Sequence, residues 1–530
     1  MQRMSADHVL YGIQSVTHAS SVLFPPLSPY PWDKGGILLH LPIFYSALLL
    51  TLVNLVLRFV GTSFQVYLSG RIGAAGIGLL QLVMSVNSLA VVAGIAGIRT
   101  ASMYLTAEEL GKKRKDHISG VLSGCFLYSI LFSGTTGFAL YTFAPKIAVL
   151  WIGNEKTADA LRLFAVFLPV ICLANVMVGY FTAAGRIGTL SAVEVAEQLI
   201  SISVTVFALS RTTLRDPVQA CRCVILGSCT SAVFTLVCLV FLWKREHSGP
   251  GKRIPMARRL RDAALPLAAA DVMKSGINTV ENLMVPKRLA MNPLISDPLA
   301  AFGCVSGMVF PVLMFPACIL FGLAELLIPE MSRCSAAGSH DRIRYLARQS
   351  LRIAMLYGLV FGGLEFLLGN WLCQRLYHNT EAGTFLRLYA LLIPMLYCDA
   401  IIDAMTKGLG QQKICVRYNI LTASLDVIFL WFLLPRYGMT GYFVSFTVTH
   451  LLNFNLSLRL LLKITGESIP FYVPAFSLAA AGGAALGAAS FDNPVVMAVV
   501  YLLLLWSILC LFQVTGREDL RWIKGLVCKK

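Results

Sequence analysis

Charged side chains inside long apolar segments are the residues of this sequence most able to do chemistry. An ionised group within hydrocarbon is costly and usually serves binding or transport. Arginine and lysine in such places neutralise anionic ligands, and arginine adds a planar fork of donors that fits phosphate oxygens. Arg58 is the strongest candidate, because no acidic residue lies within four positions of it. The cations predicted to form a site for an anionic substrate are Arg58, Arg99, Lys274 and Arg352.

Acidic residues in the same kind of segment form a second group of candidates. They either couple transport to an ion or stabilise the structure by pairing with a neighbour. These acids are Glu194, Glu197, Asp271, Glu281 and Asp426. Further acids at membrane depth, to which we assign no role from the sequence, are Glu325, Glu365, Asp399 and Asp403.

Several of these candidates have a purely structural alternative. Asp271 precedes Lys274 by three residues, a spacing at which two charges on one helix face neutralise each other. Arg99 and Arg352 stand near the ends of their segments, where arginines extend their charged ends into interfacial water. The sequence leaves these alternatives open.

No constellation of residues indicates an enzyme, a metal site or a cofactor. A Walker A loop, an HExxH motif and a GxSxG motif are absent, and the 14 cysteines include no CxxC pair. The net charge of +17 includes seven basic residues in the segment 244–262, without a nucleic-acid-binding signature. Basic loops beside apolar spans are typical of the positive-inside rule. The sequence therefore predicts a transporter that uses no cofactor and binds no nucleic acid.

The elements that carry these residues are membrane-spanning helices. Hydrophobic residues make up 57% of the 530 positions and charged residues 13%, whereas a soluble domain has about 25% charged residues. A helix of about 20 apolar residues crosses a bilayer. Runs of this length predict fourteen spans, near 40–66, 76–104, 118–143, 158–184, 188–210, 219–243, 263–286, 299–330, 347–374, 384–407, 414–435, 439–463, 469–489 and 493–514.

An internal repeat relates spans 1–6 to spans 7–12. The sequence LRLFA at 161–165 returns as LRLYA at 386–390, an offset of 225 in the numbering, and the same offset pairs Gly78 with Gly303. Because an even number of spans lies within one period, the halves have the same orientation and form parallel repeats. Two such lobes with a cavity between them favour a transporter that works by alternating access.

The charges at membrane depth are not duplicated by this repeat. At the offset of 225, Arg58 corresponds to Leu283 and Asp426 to Ser201. Residues kept only for packing would recur in both halves. The pattern therefore indicates a single asymmetric ligand.

The predicted fold is an all-α polytopic membrane protein with two parallel six-helix lobes and two C-terminal helices. Lys and Arg are more than twice as frequent in loops after even-numbered spans as in the others, which predicts that both termini are cytoplasmic. The expected segments are an N-terminal tail 1–38, a first lobe 39–243, a basic linker 244–262, a second lobe 263–464, spans 13 and 14 within 465–514, and a tail 515–530.

Four sequence segments point to a known family. They are GIGLLQLVMSVNSLAVVAGIAGIRTASMYLTAEE at 76–109, VEVAEQ at 193–198, KGLGQQK at 407–413 and LPRYGMTGYFVSF at 434–446. Together they resemble the stage V sporulation protein B branch of the superfamily of multidrug, oligosaccharidyl-lipid and polysaccharide exporters, which includes the lipid II flippase.

The resemblance implies a fourteen-helix flippase in the bacterial cytoplasmic membrane. Its substrate would be an undecaprenyl-diphosphate-linked saccharide or a peptidoglycan precursor, with membrane lipids and envelope glycosyltransferases as partners. The lipid II flippase carries cavity arginines in its first two spans, and Arg58 and Arg99 occupy comparable places. Its further arginine in span 8 has no match here, because span 8 has Glu325. The run AAAGGAALGAA at 479–489 would line the groove that this family forms for a lipid tail.

Two other functions remain open at this point. One is a multidrug or cation antiporter of the same superfamily, coupled to sodium ions or protons through carboxylates such as Glu194, Asp271 and Asp426. The other is a scaffold for envelope assembly that transports nothing, for which the charged residues within the spans would be dispensable.

Overall fold

The computed structural model describes residues 41–112, 115–212, 216–246, 257–466 and 472–511. Within these ranges the chain is helical and forms no strand. The expected tails 1–38 and 515–530 and the central part of the linker 244–262 lie outside the described residues. The α-helices are Leu41–Ile95, Ile98–Gly111, Ile118–Ile147, Ala158–Ala183, Ile187–Ser210, Pro217–Glu246, Ala257–Leu289, Pro298–Cys304, Phe310–Leu313, Ala317–Ala336, His340–Tyr377, Thr380–Ala390, Ile393–Gly408, Gln412–Thr465, Tyr472–Ala488 and Pro494–Leu511. Short π-helical turns (Ala148–Ile152, Val305–Val309) and 3-10 turns (Lys115–His117, Glu155–Thr157) extend or join them.

The described helices account for all fourteen expected spans. Eight are long and apolar enough to cross a membrane, or ten if each of two bent pairs counts as one span. Two of the eight, Leu52–Leu110 and Gln412–Thr465, have lengths of 59 and 54 residues, which suffices for two crossings each. They are kinked at Gly73 and Gly438. The remaining expected spans are the charge-bearing Ala257–Leu289 and the 17-residue Tyr472–Ala488.

Spans 8 and 10 are the two bent pairs. In span 8, Pro298–Leu313 and Ala317–Ala336 meet at an angle of 64°. In span 10, Thr380–Ala390 and Ile393–Gly408 meet at 58°. Each break leaves backbone groups that a straight helix would pair internally. At the first break, the hydroxyl of Tyr357 donates to the carbonyl oxygen of Pro316 at 2.8 Å.

Contacts between helices give their relative directions. In spans 1 and 8, Phe59 packs on Phe315 while the Gln65 amide donates to the Gly307 carbonyl, so these spans are antiparallel. In spans 2 and 7, Ser85 contacts Asn282 and Gly97 contacts Ala264. Spans 2 and 7 are therefore antiparallel as well. Odd- and even-numbered spans run in opposite directions at both interfaces, as the fourteen-span order requires.

The offset of 225 recurs in the local backbone. The amides of Gly185 and Gly410 each donate to the carbonyl three residues earlier, at the ends of spans 4 and 10. The side chains of Asn154 and Asn379 each cap the helical segment that begins at the next residue. Gly78 and Gly303 also pack on each other symmetrically. A β-carbon at Gly78 would clash with the carbonyl oxygen of Leu299. A β-carbon at Gly303 would clash with the carbonyl oxygen of Ala74. Leu299 and Ala74 are themselves related by the offset of 225. The structure therefore repeats contacts as well as sequence.

The chain forms two compact units. The first unit comprises Leu48–Phe315 and Asn419–Thr449, and the second comprises Pro316–Tyr418 with residues 41–47 and 450–511. Each has its own apolar core. The core of the first includes Ile98, Leu122, Val176 and Phe181, and that of the second includes Leu359, Ala484, Tyr501 and Leu505. These units differ in their bounds from the expected lobes 39–243 and 263–464, and the lobe assignment stays a prediction.

Candidate functional site

Arg99 and Glu194 lie together in the first unit. Arg99 is the second residue of the helix Ile98–Gly111, directly after a break at Ala96 and Gly97, which have φ angles of 42° and 72°. Gly97 is required there, because its φ is positive and a β-carbon would lie 2.6 Å from the carbonyl oxygen of Ala264. The side chain of Arg99 is exposed and is close enough to Glu194 to interact with it electrostatically. The break thus places a cation beside a half-buried acid.

Glu197 completes this cluster from the next turn of span 5. Its Oε2 accepts a hydrogen bond from Thr235 Oγ1 in span 6 at 2.8 Å. Glu194 and Glu197 interact as like charges, which Arg99 partly offsets. Spans 2, 5 and 6 therefore contribute one cation, two acids and a hydroxyl to the same place.

Arg58 lies in span 1, which approaches the span that carries Glu194. It stands one helical turn before Gly61, where a β-carbon would lie 3.9 Å from the amide nitrogen of Gln198. Glu194 stands one turn before Gln198. The side chain of Arg58 is exposed, and in the described part of the chain it has neither a hydrogen bond nor an ion pair. Span 1 thus approaches span 5 one turn from Arg58, and the donors of this arginine are available for an anion.

A second cluster is formed by Glu281 and Asp426, also in the first unit. Asp426 is only 5% exposed, and its Oδ1 accepts hydrogen bonds from Ser445 Oγ at 2.5 Å and Thr449 Oγ1 at 3.2 Å. The carboxyl group of Glu281 lies close enough to that of Asp426 for the two to interact as like charges. A proton shared between the two carboxyl groups, or a hard cation bound by the surrounding oxygen atoms, would offset this repulsion.

The hairpin at Gly438 builds this second cluster. Gly438 has a φ of 56°, so span 11 turns directly into span 12 without a loop. Asp426 and Thr449 lie at similar distances along the chain on either side of the turn and therefore meet at one level. Among the described residues, no group of three or more His, Cys, Asp or Glu side chains is arranged to hold a metal ion.

The remaining candidates are placed differently. Asp271 and Lys274 are both exposed, and within the described ranges they form no ion pair with each other. The structure therefore does not show Asp271 and Lys274 neutralising each other. Arg352 belongs to the second unit, is 3% exposed and interacts electrostatically with Tyr345. The structure brings together Arg99, Glu194 and Glu197 in one cluster and Glu281 with Asp426 in another, whereas Arg58 forms no hydrogen bond or ion pair with either cluster among the described residues.

Sequence reasoning missed the uncharged partners of these acids. Thr235, Ser445 and Thr449 donate to candidate acids, and Asn453 donates to Asp399 at 3.0 Å. Hydroxyl and amide side chains are common in apolar helices, so their presence alone is no signal. The nearly symmetric positions of Asp426 and Thr449 about Gly438 are the one pattern that would have indicated a contact.

Comparisons with known proteins agree with this architecture. The sequence model of one family, described as MatE, matches residues 43–207 and 283–432. Stage V sporulation protein B of Bacillus subtilis (strain 168) is 22% identical over 425 residues, which is 75% of this chain and 79% of that protein. Among solved structures, the lipid II flippase MurJ in an inward closed conformation has a TM-score of 0.63 at 12% identity, with 91% of this chain and 100% of that chain covered.

A multidrug resistance transporter of the MATE family, of the MOP superfamily, is similar to the same degree. Its inward-facing structure has a TM-score of 0.63 at 13% identity and covers 79% of this chain and 100% of its own. The predicted all-α polytopic fold and the resemblance to the stage V sporulation protein B branch are confirmed by these matches.

Proposed function

The chain belongs to the MatE family, and on that premise we propose that it flips an undecaprenyl-diphosphate-linked saccharide or a peptidoglycan precursor across the bacterial cytoplasmic membrane by alternating access. The observation that carries this proposal is Arg58, an arginine within an apolar span that has no partner among the described residues. A cation at membrane depth without a protein partner needs an anionic ligand to offset its desolvation.

The chemistry of a lipid diphosphate suits the two arginines Arg58 and Arg99. A diphosphate does not cross hydrocarbon unaided, because transfer of ionised oxygens out of water is very costly. Two guanidinium groups offer charge-assisted, bidentate hydrogen bonds to phosphate oxygens. Glu194 and Glu197 would hold Arg99 in place and repel the ligand's charge enough to permit release. The fold shared with the lipid II flippase supports the same substrate class.

Glu281 and Asp426 are proposed to couple this movement to an ion. The cluster lies within the membrane-spanning helices, and its two carboxyl groups and two hydroxyls suit either a shared proton or a sodium ion. Either ion would neutralise the carboxyl pair, and its release would leave two like charges in contact. Such a pair is a two-state element that an ion gradient biases.

A sodium- or proton-coupled multidrug antiporter is the second candidate. The same carboxyl pair favours it, together with the fold shared with a multidrug resistance transporter. In this case the acids would be essential and Arg58 dispensable. A scaffold without transport activity predicts that both groups are dispensable.

Complementation tests the proposed function. A bacterial host is depleted of its native lipid II flippase and supplied with this chain, with Arg58→Ala, or with Arg71→Ala. Arg71 is a matched control because it is an exposed arginine on the same helix that stacks on the Tyr67 ring instead. We expect growth with the wild type and with Arg71→Ala, and none with Arg58→Ala at equal membrane abundance.

Two outcomes would contradict the proposal. If the wild type inserts but restores no growth and instead lowers the accumulation of cationic dyes, the antiporter is favoured. If Arg58→Ala restores growth as well as the wild type, the cation is not part of a phosphate site. Reporter fusions at the C-terminus, which lies outside the described residues, test the predicted cytoplasmic location, and co-purification tests the proposed envelope glycosyltransferase partners.

A further inference from the structure

The interface between spans 3 and 4 is repeated between spans 9 and 10. A β-carbon at Gly137 would lie 2.8 Å from the carbonyl oxygen of Ala165, and one at Gly362 would lie 3.0 Å from that of Ala390. Both members of the second contact stand at the offset of 225 from those of the first. Each pair of helices therefore approaches closely at the same point of its repeat, and the two interfaces can be compared residue by residue.

Each interface contains an arginine stacked on an aromatic ring. Arg162 lies over the ring of Tyr141, with its guanidinium carbon 5.5 Å from the ring centroid, and Arg387 lies over Phe366 at 5.0 Å. These residues also correspond at the offset of 225. In both arginines the Nε atom is buried without a hydrogen-bond partner among the described residues. The arginine–aromatic pair is therefore a duplicated structural element.

The two interfaces differ at one buried position. The residue before Tyr141 is Leu140, which is 6% exposed, whereas the residue before Phe366 is Glu365, which is 7% exposed. The Oε2 atom of Glu365 is fully buried and has no hydrogen-bond partner within the described residues. A carboxyl group thus occupies, without compensation, a place that the other half fills with leucine.

The same two interfaces differ in the shape of the second helix. Span 4 runs as one helix, Ala158–Ala183, through Pro169. Span 10 is broken between Ala390 and Ile393 and bent by 58°. The break lies against Gly362, less than one turn from Glu365 on span 9. The half that carries the buried carboxyl group is therefore the half whose helix is bent.

Arg387 packs on span 9 beside Glu365, at Phe366 and Gly369, and does not pair with Glu365. Gly369, one turn after Glu365, allows the side-chain stem of Arg387 to pack against span 9, where a β-carbon would lie 2.9 Å from Arg387 Cγ. The guanidinium group nevertheless stacks on Phe366, and no ion pair joins it to Glu365 in the described structure. An ionised, unpaired carboxylate at this burial would be very costly, so burial favours the neutral carboxyl group in this conformation.

Titratable groups face Glu365 from the helices packed around it. Tyr397 of span 10 and Cys373 of span 9 interact with it electrostatically. No cation other than Arg387 lies on the facing part of span 10, all of which is described, and Tyr501 of span 14 contacts span 9 at Leu359 and Gly363. The titratable and charged groups of the packed elements are Cys318, Glu325 and Glu330 in span 8, Arg348, Arg352, Tyr357, Cys373, Arg375 and Tyr377 in the helix of span 9, Glu381, Arg387, Tyr389, Tyr397, Cys398, Asp399, Asp403 and Lys407 in the two helices of span 10, and Tyr501 and Cys510 in span 14.

We propose that Glu365 is a proton-binding site, protonated while span 10 is bent and Arg387 is stacked on Phe366, and that loss of the proton is accompanied by an ion pair between Glu365 and Arg387. The proton leaves the carboxyl group for water, and the charge left on Glu365 is matched by the guanidinium group. The pair requires Arg387 to leave Phe366, and we expect the first part of span 10, which carries this arginine, to move with it. The site therefore links a proton to the shape of one span, and this does not depend on which substrate is carried.

Infrared titration without any substrate tests the proposal. The protein in lipid nanodiscs is titrated with base while the carbonyl stretching band of protonated carboxylic acids is recorded. We expect one component of the band to be lost as pH rises in the wild type and to be absent from Glu365→Gln at every pH. Glu365→Leu, which installs the residue of the first half, should lack the same component and should fold, because leucine already fills the equivalent site. Arg387→Gln removes the partner of the ionised form, so the component should persist to a pH higher by about 1–3 units.

The first half of the chain supplies the matched control. Arg162→Gln removes the equivalent arginine, which has no carboxyl group beside it, and should titrate as the wild type does. The proposal is overturned if the titrating component remains in Glu365→Gln and Glu365→Leu, or if Arg387→Gln titrates at the same pH as Arg162→Gln. A loss of complementation in the proposed transport assay would leave these spectra unchanged, so the two failures are distinguishable.

Discussion

Replacing Arg58 and Arg99 by alanine is the perturbation most specific to a lipid-diphosphate substrate. Each guanidinium group would donate charge-assisted hydrogen bonds to phosphate oxygens, and such bonds contribute about 1.5–3 kcal/mol. Loss of one arginine should therefore lower transport by about 10- to 150-fold, since each 1.4 kcal/mol is a factor of ten. Arg58→Lys keeps the charge but loses the planar fork and should be intermediate.

The structure predicts that the two substitutions differ in their effect on folding. Arg58 has no partner among the described residues, so Arg58→Ala strands no other group and should leave the unfolding midpoint unchanged. Arg99 offsets the like charges of Glu194 and Glu197, so Arg99→Ala should also lower stability. Adding Glu194→Gln to Arg99→Ala should restore stability without restoring transport, because it removes the repulsion and leaves the phosphate site incomplete.

Flipping of a fluorescent undecaprenyl-diphosphate saccharide in proteoliposomes measures these effects at matched protein density. Arg71→Ala serves as the control, since this exposed arginine stacks on Tyr67. Wild-type rates for both Arg58→Ala and Arg99→Ala, together with an inactive Glu194→Gln, would refute the reasoning. That order of effects is the one an antiporter predicts.

Three predictions concern stability, each measured as the thermal unfolding midpoint in detergent. Gly78→Ala should destabilise the protein by at least about 1–3 kcal/mol, because the new methyl group meets backbone, whereas Gly70→Ala, with open space around it, should not. Equal midpoints would contradict the close contact. Asp426→Ala should cost more than Thr449→Val, because it removes the 2.5 Å acceptor of the buried Ser445 hydroxyl, at about 1–3 kcal/mol, whereas the Thr449 hydroxyl also reaches the carbonyl oxygen of Ser445 at 2.9 Å. Tyr501→Phe should cost about 1 kcal/mol through loss of its bond to a backbone carbonyl of span 9, and no change would mean that this bond is absent in the membrane.

The spans of this protein were predictable from sequence, whereas their breaks were not. Apolar length and the placement of basic residues are strong signals in a membrane protein, and they predicted fourteen helices. Pro169 and Pro394 occupy the same repeat position, yet span 4 continues through the first and span 10 is broken just before the second. A proline removes one backbone hydrogen bond in both cases. The difference depends on the facing helix, where a β-carbon at Gly358 would lie 2.6 Å from Pro394 Cα, while the first half has the buried Ser133 at that position.

The candidate site was predictable in its charges and unpredictable in its pairs. Each charge within an apolar span was visible in the sequence, because such residues are rare there. Whether two of them meet depends on helix rotation, which single positions do not reveal. The spacing of Asp271 and Lys274 left open a neutralising pair that the described structure lacks, while Glu281 and Asp426, far apart in sequence, interact with each other.

Comparison of the two halves distinguishes the contacts that stabilise the fold from the residues that are candidates for function. The contacts that recur at the offset of 225 are glycine–carbonyl approaches, helix caps and the arginine–aromatic stacks, all of which fix helices against one another. Three charged residues correspond to an uncharged residue at this offset: Arg58 to Leu283, Asp426 to Ser201 and Glu365 to Leu140. An arginine or a carboxyl group placed where the other half has an uncharged side chain is not part of the repeated packing. We therefore expect each of them to bind a ligand: an anion at Arg58, an ion shared with Glu281 at Asp426, and a proton at Glu365.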